Sequence, residues 1–261
     1  MSRQNYYKQR QQRHRHQVDE ALVVALVHRE RALQPRLGGR KLWHMLQGDL
    51  VKADVVIGRD RLFEVLGRHG LVLARRVRSA RTTDSRHRFR VYENLLAKLA
   101  LTGPHQAWVS DITYIRTNEG FLYLSLVMDA FSRAIVGFDC SDTLEREGAL
   151  RALQQALGQL PAGSVAIHHS DRGSQYCCGE YVGCLEDAGV GISMTQSNHC
   201  YENAKAERLN GILKQEYGLG GCLGTKLLAQ RAVSEGVALY NGRRPHTALG
   251  YATPLSVHAA A

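Results

Sequence analysis

The chain has 261 residues, enough for one sizeable domain plus a smaller one, and its 44% hydrophobic content is ordinary for a soluble globular protein. No apolar run approaches the ~20 residues that span a bilayer, and the Arg-rich start lacks an export signal's apolar region and small-residue cleavage site, which points to the cytoplasm. The net charge of +10 is unevenly spread: residues 1–100 carry 22 Lys/Arg against 9 Asp/Glu, a surplus of 13, whereas residues 101–261 carry 12 against 15, a deficit of 3. A basic segment of this kind suits phosphate neutralisation, although charge alone does not separate DNA from RNA or from an acidic protein. The six cysteines, Cys140, Cys177, Cys178, Cys184, Cys200 and Cys222, form no CxxC pair and read as reduced thiols rather than a metal site or disulfide framework.

Three helical patterns fill the first 80 residues, "QVDEALVVALVHRER", "GRKLWHMLQGDL" and "IGRDRLFEVLGRHGLV", the last stopped by Gly70. Their apolar stripes (Leu22, Leu26; Leu42, Leu46; Leu62, Val65, Leu66) and basic exposed faces suit a helix-turn-helix unit that docks on DNA, with Arg40 and Lys41 as phosphate contacts. Arg75 to Arg90 is dense in charge, lacks periodicity and reads as a linker. From Trp108 onward the chain turns β-branched and aromatic: "WVSDITYIRT", "FLYLSLVMDA" and "RAIVGFDCS" are expected as three consecutive antiparallel strands. A helix should follow with Thr143 as N-cap and Glu145 and Glu147 in its first turn. Next come a buried strand in "SVAIHHSD", a helix in "CGEYVGCLEDAG", a short strand in "VGISMT", and two closing helices, "ENAKAERLNGILKQEYG" and "KLLAQRAVSEGVALYNG". This order makes a mixed α/β protein with helices for both faces of one sheet.

Three acids stand apart from the surface charge. Asp111 lies inside the first core strand, Asp171 ends the apolar run "VAIHHS", and Glu207 sits on the first closing helix. A carboxylate among aromatic and β-branched neighbours is costly to bury unless a cation compensates it, and a divalent metal would do so. Two Mg²⁺ ions roughly 3.5 to 4 Å apart, or Mn²⁺ in their place, suit phosphoryl chemistry, with Asp111 bridging them and Asp171 and Glu207 each holding one side. At about 100° per residue, Asn203, Glu207, Asn210 and Lys214 share one helix face, which offers a ligand, two amides and a cation to the same site and its DNA. His168 and His169, on the apolar run, read as packing or hydrogen-bonding groups. Arg243, Arg244 and His246 in "NGRRPH" read equally as backbone contacts near the active site and as a clamp docking the C-terminus.

Four stretches, "WVSDITYI", "HHSDRGSQY", "YENAKAERLNGILKQE" and "YNGRRPHTALGYATP", together resemble the OrfB transposases of the "IS three" insertion sequences, whose DDE core is like that of retroviral integrases. The 35 residues between Asp171 and Glu207 match that family's spacing, and residues 17–77 resemble its helix-turn-helix segment. Many relatives have Asp where this chain has Glu202, which leaves a metal-binding role for Glu202 open. The resemblance implies a ribonuclease H-like mixed five-stranded sheet flanked by helices, preceded by a small all-α helix-turn-helix domain. The expected boundaries are 1–78 for the DNA-binding region, 79–104 for the linker and 105–261 for the core with its C-terminal extension. It also implies metal-dependent cleavage at DNA 3′ ends and strand transfer, with Asp111, Asp171 and Glu207 as catalytic metal ligands. The implied partners are double-stranded DNA, both the element's terminal inverted repeats and the target, a second copy of the chain, and an upstream-frame OrfA product. The setting would be the bacterial cytoplasm, at the nucleoid when bound to DNA. The residues themselves leave two alternatives: a DNA-binding regulator with an inert core, and a ribonuclease H-like nuclease.

Overall fold

Leucines four apart build the first of two packed units, which divide the chain into Met1–Val77 and Arg78–Ala261. The structure, a computed structural model, describes residues 3–74, 89–97, 99–196 and 203–260. Most of the expected linker, and Glu202, therefore lie outside the described residues.

The first unit consists of α1 (Arg3–Leu33), α2 (Gly39–Lys52) and α3 (Arg59–Arg68). Leu42, Leu46 and Leu50 of α2 fall on one face and close over Val23, Leu26 and Val27 of α1 and Leu62, Val65 and Leu66 of α3. Leu22, assigned above to the stripe, is only partly buried and flanks this core. Glu20 ties α1 to α3 by accepting from Arg61 Nη2 at 2.8 Å and Arg68 Nη2 at 2.6 Å. α3 stops at Gly70, whose φ of +65° lies in the left-handed region that glycine enters without a Cβ penalty. α1 starts well before the apolar pattern that revealed it, because its first turns are polar and carry no stripe.

The second unit begins with β1 (Ala107–Thr117), β2 (Gly120–Asp129) and β3 (Ile135–Ser141), paired antiparallel in sequence order as expected. There follow α4 (Arg146–Leu157), β4 (Ile167–Ser170), α5 (Ser174–Cys177), α6 (Gly179–Asp187), β5 (Gly191–Met194), α7 (Ala204–Glu216), β6 (Cys222–Leu223), α8 (Lys226–Gly242) and α9 (Pro254–Ala259). The sheet runs β3-β2-β1-β4-β5, with β4 and β5 parallel to β1, a mixed five-stranded sheet of the ribonuclease H-like kind. β6 adds two residues in parallel to the far end of β1. Strand alternation sends Val109 and Ile115 towards α7 and α8 and Trp108 to the opposite face, where α4 and α6 lie. On that second face α4 packs so closely on β3 that a Cβ added to Gly137 would meet the Ala152 carbonyl oxygen at 2.0 Å.

Two expectations are corrected. Thr143 does not cap α4: the helix starts at Arg146, Glu145 holds the N-cap position with extended backbone, and only Glu147 lies in the first turn. The preceding residues are held elsewhere, since Gln175 Nε2 donates to the Leu144 carbonyl at 2.7 Å and Lys226 Nζ pairs with Asp142 at 2.6 Å. In addition, α8 does not end the chain. Thr253 accepts from Ser256 N and Pro254 occupies the first turn, starting α9.

Candidate active site

The parallel pairing of β1 with β4 runs only from Ala107 to Val109, opposite Ile167 to His169. Asp111 lies two residues past its end, and Asp171 directly follows the last residue of β4. Asp111, midway along β1 just past its pairing with β4, and Asp171, at the carboxyl end of β4, therefore lie beside the point where two adjacent parallel strands part. α7 brings the third acid. Ala206, Leu209, Ile212 and Leu213 bury its apolar side in the core, while Glu207 stays exposed.

The polar stripe of α7 is spent largely on β1. Asn203 Nδ2 donates to the Ser110 carbonyl at 2.9 Å, and Asn210 Nδ2 donates to Asp111 Oδ2 at 2.8 Å. Both asparagines are buried, so their amides hold the strand and the Asp111 carboxylate and are not available to DNA, which corrects their assignment as DNA contacts. Asp111 Oδ1 accepts from the Ile112 amide at 2.9 Å, and Asp171 Oδ1 accepts from the Gly173 amide at 2.9 Å.

Asp111 lies close enough to both other acids to feel their charge. Burial, and then the charge of Asp171, push Asp111 up to about 7; its bonds to Asn210 and Ile112 oppose this, and the charge of Glu207 adds to it. Lys214 is half-buried and feels the Asp111 charge, but burial holds its own pKa below the usual lysine value. Among the described residues no three acidic, histidine or cysteine side chains already stand together as a metal-binding group. The donor set nevertheless suits a hard divalent cation: three carboxylates, of which half-buried Asp111 is disfavoured as an anion by desolvation and then by the negative charge of the other two.

Tyr176 was not singled out by the sequence, although it lies in the same motif as Asp171. Its hydroxyl is buried without a hydrogen-bond partner among the described residues, and burial, Tyr181 and then Asp111 and Asp171 hold it well above the usual tyrosine pKa. His168 is a packing group, as expected: its Nε2 lies 2.7 Å from Ser110 Oγ and 2.9 Å from the Tyr181 hydroxyl, and burial pushes its pKa down to about 3, so it is neutral. His169 Nδ1 sits 2.8 Å from Ser193 Oγ.

Of the cations assigned to DNA, Arg40 and Arg243 are exposed and Lys41 is half-buried at the start of α2. Arg244 is not available. It is 2% exposed and binds Glu216 through Nε at 2.8 Å and Nη2 at 2.9 Å. Its guanidinium is held on Glu216 at the end of α7, which corrects its assignment as a DNA contact.

Comparison with known proteins agrees with this arrangement. Two models described as integrase core domain match residues 102–200 and 188–254. An insertion element IS600 uncharacterized 31 kDa protein of Shigella sonnei is 33% identical over 258 residues, covering 97% of this chain and 93% of its own length. The transposase for insertion sequence element IS629 of the same organism is 34% identical, covering 83% of this chain and 72% of that protein. Transposase InsF for insertion sequence IS3A of Escherichia coli (strain K12) is 41% identical over 131 residues, 50% of this chain and 46% of that one. Among solved structures, the simian T-cell lymphotropic virus intasome in complex with PP2A regulatory subunit B56 gamma shares the fold, with a TM-score of 0.50 at 17% identity over 86% of this chain and 71% of that one. These matches extend over both the basic helical unit and the acid-bearing sheet, and the chain belongs to the IS3-family transposases, with an integrase-type catalytic core.

Proposed function

We propose that the protein cleaves DNA at the 3′ ends of an insertion sequence and transfers the freed strands to new phosphodiesters. Water and then a 3′-hydroxyl would attack in line. Asp111, Asp171 and Glu207 would hold two Mg²⁺ ions, or Mn²⁺. The observation that supports this reading is the placement of Asp111 and Asp171 where the pairing of β1 with β4 ends, with Glu207 on α7 close enough for its charge to act on Asp111, whose pKa is raised by burial and then by these two acids. Bound divalent ions would offset the charge of the three acids and supply the electrophilic assistance that phosphoryl transfer requires.

The rest of the work falls to protein groups. Asn210 fixes the Asp111 carboxylate through Oδ2, Ile112 fixes it through Oδ1, and the Gly173 amide orients Asp171. Buried Tyr176 packs with Trp108 and Tyr181 in the core, close enough to feel the charges of Asp111 and Asp171. Lys214 and exposed Arg243 are the candidates for phosphate contact beside the reacting centre, and Arg40 and Lys41 for contact by the helix-turn-helix unit, whose basic surplus supports DNA binding. Terminal inverted repeats and target DNA would be the substrates. Joining two ends calls for at least two copies of the chain, with an upstream-frame OrfA product as a further partner, in the cytoplasm at the nucleoid. No helix among the described residues is long and apolar enough to cross a membrane.

The test is incubation with Mg²⁺ and labelled element ends. Nicked 3′ ends and joined strands are expected from the wild type and from neither Asp111→Asn nor Glu207→Gln. Salt-sensitive DNA binding without product under any divalent metal would mark an inert core, and cleavage of RNA–DNA hybrids alone would mark a ribonuclease.

A further inference from the structure

A second feature of α7 is not used by the acid site. On another face of the helix lies a pocket of ≈ 250 Å³ walled by Met128, Leu209, Ile212 and Tyr240. Arg133, Lys205 and Arg208 line the same pocket. Three arginines of this unit are paired with acids, Arg146 with Glu180, Arg151 with Asp139 and Arg244 with Glu216. Arg133, Lys205 and Arg208 have no ion pair among the described residues, and Arg133 and Lys205 are near enough for each to feel the other's charge. Asp129, whose charge acts on both Arg133 and Lys205, already accepts from the His105, Phe131 and Ser132 amides and from Ser132 Oγ. Arg133 Nε is buried without a partner. The residue also adopts a φ of +66°, where a non-glycine side chain stands at a conformational cost.

We infer that this pocket takes an unpaired nucleotide of the bound DNA, its base against the apolar walls and its phosphate on Arg133, Lys205 and Arg208. An anion would pair with three cations that line one pocket without an ion pair, and an apolar floor would suit a planar base. The volume admits one base and not a duplex. Bases at frayed or nicked ends cost least to extrude, and such ends arise where the same helix presents Glu207. The inference rests on the DNA-joining reading above.

The test uses the full chain and two labelled probes at fixed salt: a fully paired element-end duplex, and the same duplex with unpaired thymidines at the end. Wild type should bind the frayed probe about tenfold more tightly. Ala248→Trp, which fills the pocket from an exposed position, should abolish that preference and leave paired-duplex affinity unchanged. Arg208→Gln should weaken frayed-probe binding more than paired. Equal losses on both probes would mean that the cations only track the backbone, and would overturn the inference. So would retention of the preference in Ala248→Trp, with a Phe/Glu-rich peptide bound by wild type and lost in that variant, because the pocket would then dock protein. If wild type joins element ends yet Ala248→Trp matches it on both probes, the pocket inference alone falls. If wild type neither binds nor joins DNA, the underlying reading falls with it.

Discussion

Replacing Asp111 with Asn removes a charge that the metal-free fold holds at a disadvantage. The carboxyl rises from an ordinary 3.8 to about 7. At about 1.4 kcal/mol per pH unit this corresponds to roughly 4 kcal/mol as a ceiling. Because Asp111 is only half-buried, about 2 kcal/mol is the working expectation. The sign follows from linkage. A folded-state pKa above the unfolded value favours the protonated form, so the penalty is absent below about pH 4, grows as pH rises and is complete above about pH 7. Asn is neutral throughout, and its side-chain oxygen can still accept from Asn210. Urea unfolding with a chelator present, followed by fluorescence of Trp43 and Trp108, should therefore find wild type and Asp111→Asn alike near pH 4. The variant should be more stable by about 2 kcal/mol near pH 8. Adding Mg²⁺ at pH 8 should stabilise the wild type and leave the variant unchanged. A stability gap independent of pH, or a variant less stable than wild type at pH 8, would refute the account of Asp111 as a crowded carboxylate.

Asn210→Ala removes the 2.8 Å bond that lowers the Asp111 pKa, so the pH dependence of product formation should move to higher pH and Mg²⁺ should bind about tenfold or more weakly, read by metal titration. Glu216→Gln strands the buried Arg244 guanidinium, and thermal or urea unfolding should register a loss of about 3 kcal/mol or more, whereas replacing both partners by apolar residues should cost less. Gly137→Ala forces a Cβ into the Ala152 carbonyl, and its unfolding midpoint should fall further than that of Gly183→Ala, where nothing lies within 4 Å. Neutralising Arg40 and Lys41 together should lower the slope of log affinity against log salt by about two for any duplex sequence.

Period-two alternation and β-branched content made β1 to β3 legible, and Asp111 was conspicuous because a carboxylate is out of place on such a strand. The three acids were recognisable by type and spacing, whereas the partners that hold them were not. Nothing in the helical period says whether Asn210 faces solvent or strand, and only the docking of α7 on β1 decides it. Arg244 was ambiguous for a related reason: its partner Glu216 lies 28 residues earlier on another helix. The start of α4 was misread because Thr143 is a good capping residue by itself, while contacts from Gln175 and Lys226 hold the residues around it extended. β6 is two residues long and carries no pattern of its own. α9 did leave a signal, Thr253 followed by Pro254, which was overlooked.

The short pairings of β1 have a consequence for how its carboxylate is served. Among the described residues, one edge of that strand is covered by β2 throughout, but the other is covered only at its ends, by β4 at residues 107–109 and by β6 at residues 116–117. Between them the sheet is notched. In the notch the Ser110 carbonyl bonds to the Asn203 side chain and the Ile112 amide to Asp111 itself, so side chains stand in for a missing neighbour strand. A full-length neighbour would have claimed those backbone groups and walled off the acid. With both ends of the gap closed by strands, the chain opens its sheet where Asp111 sits without presenting a long free edge for another chain to extend.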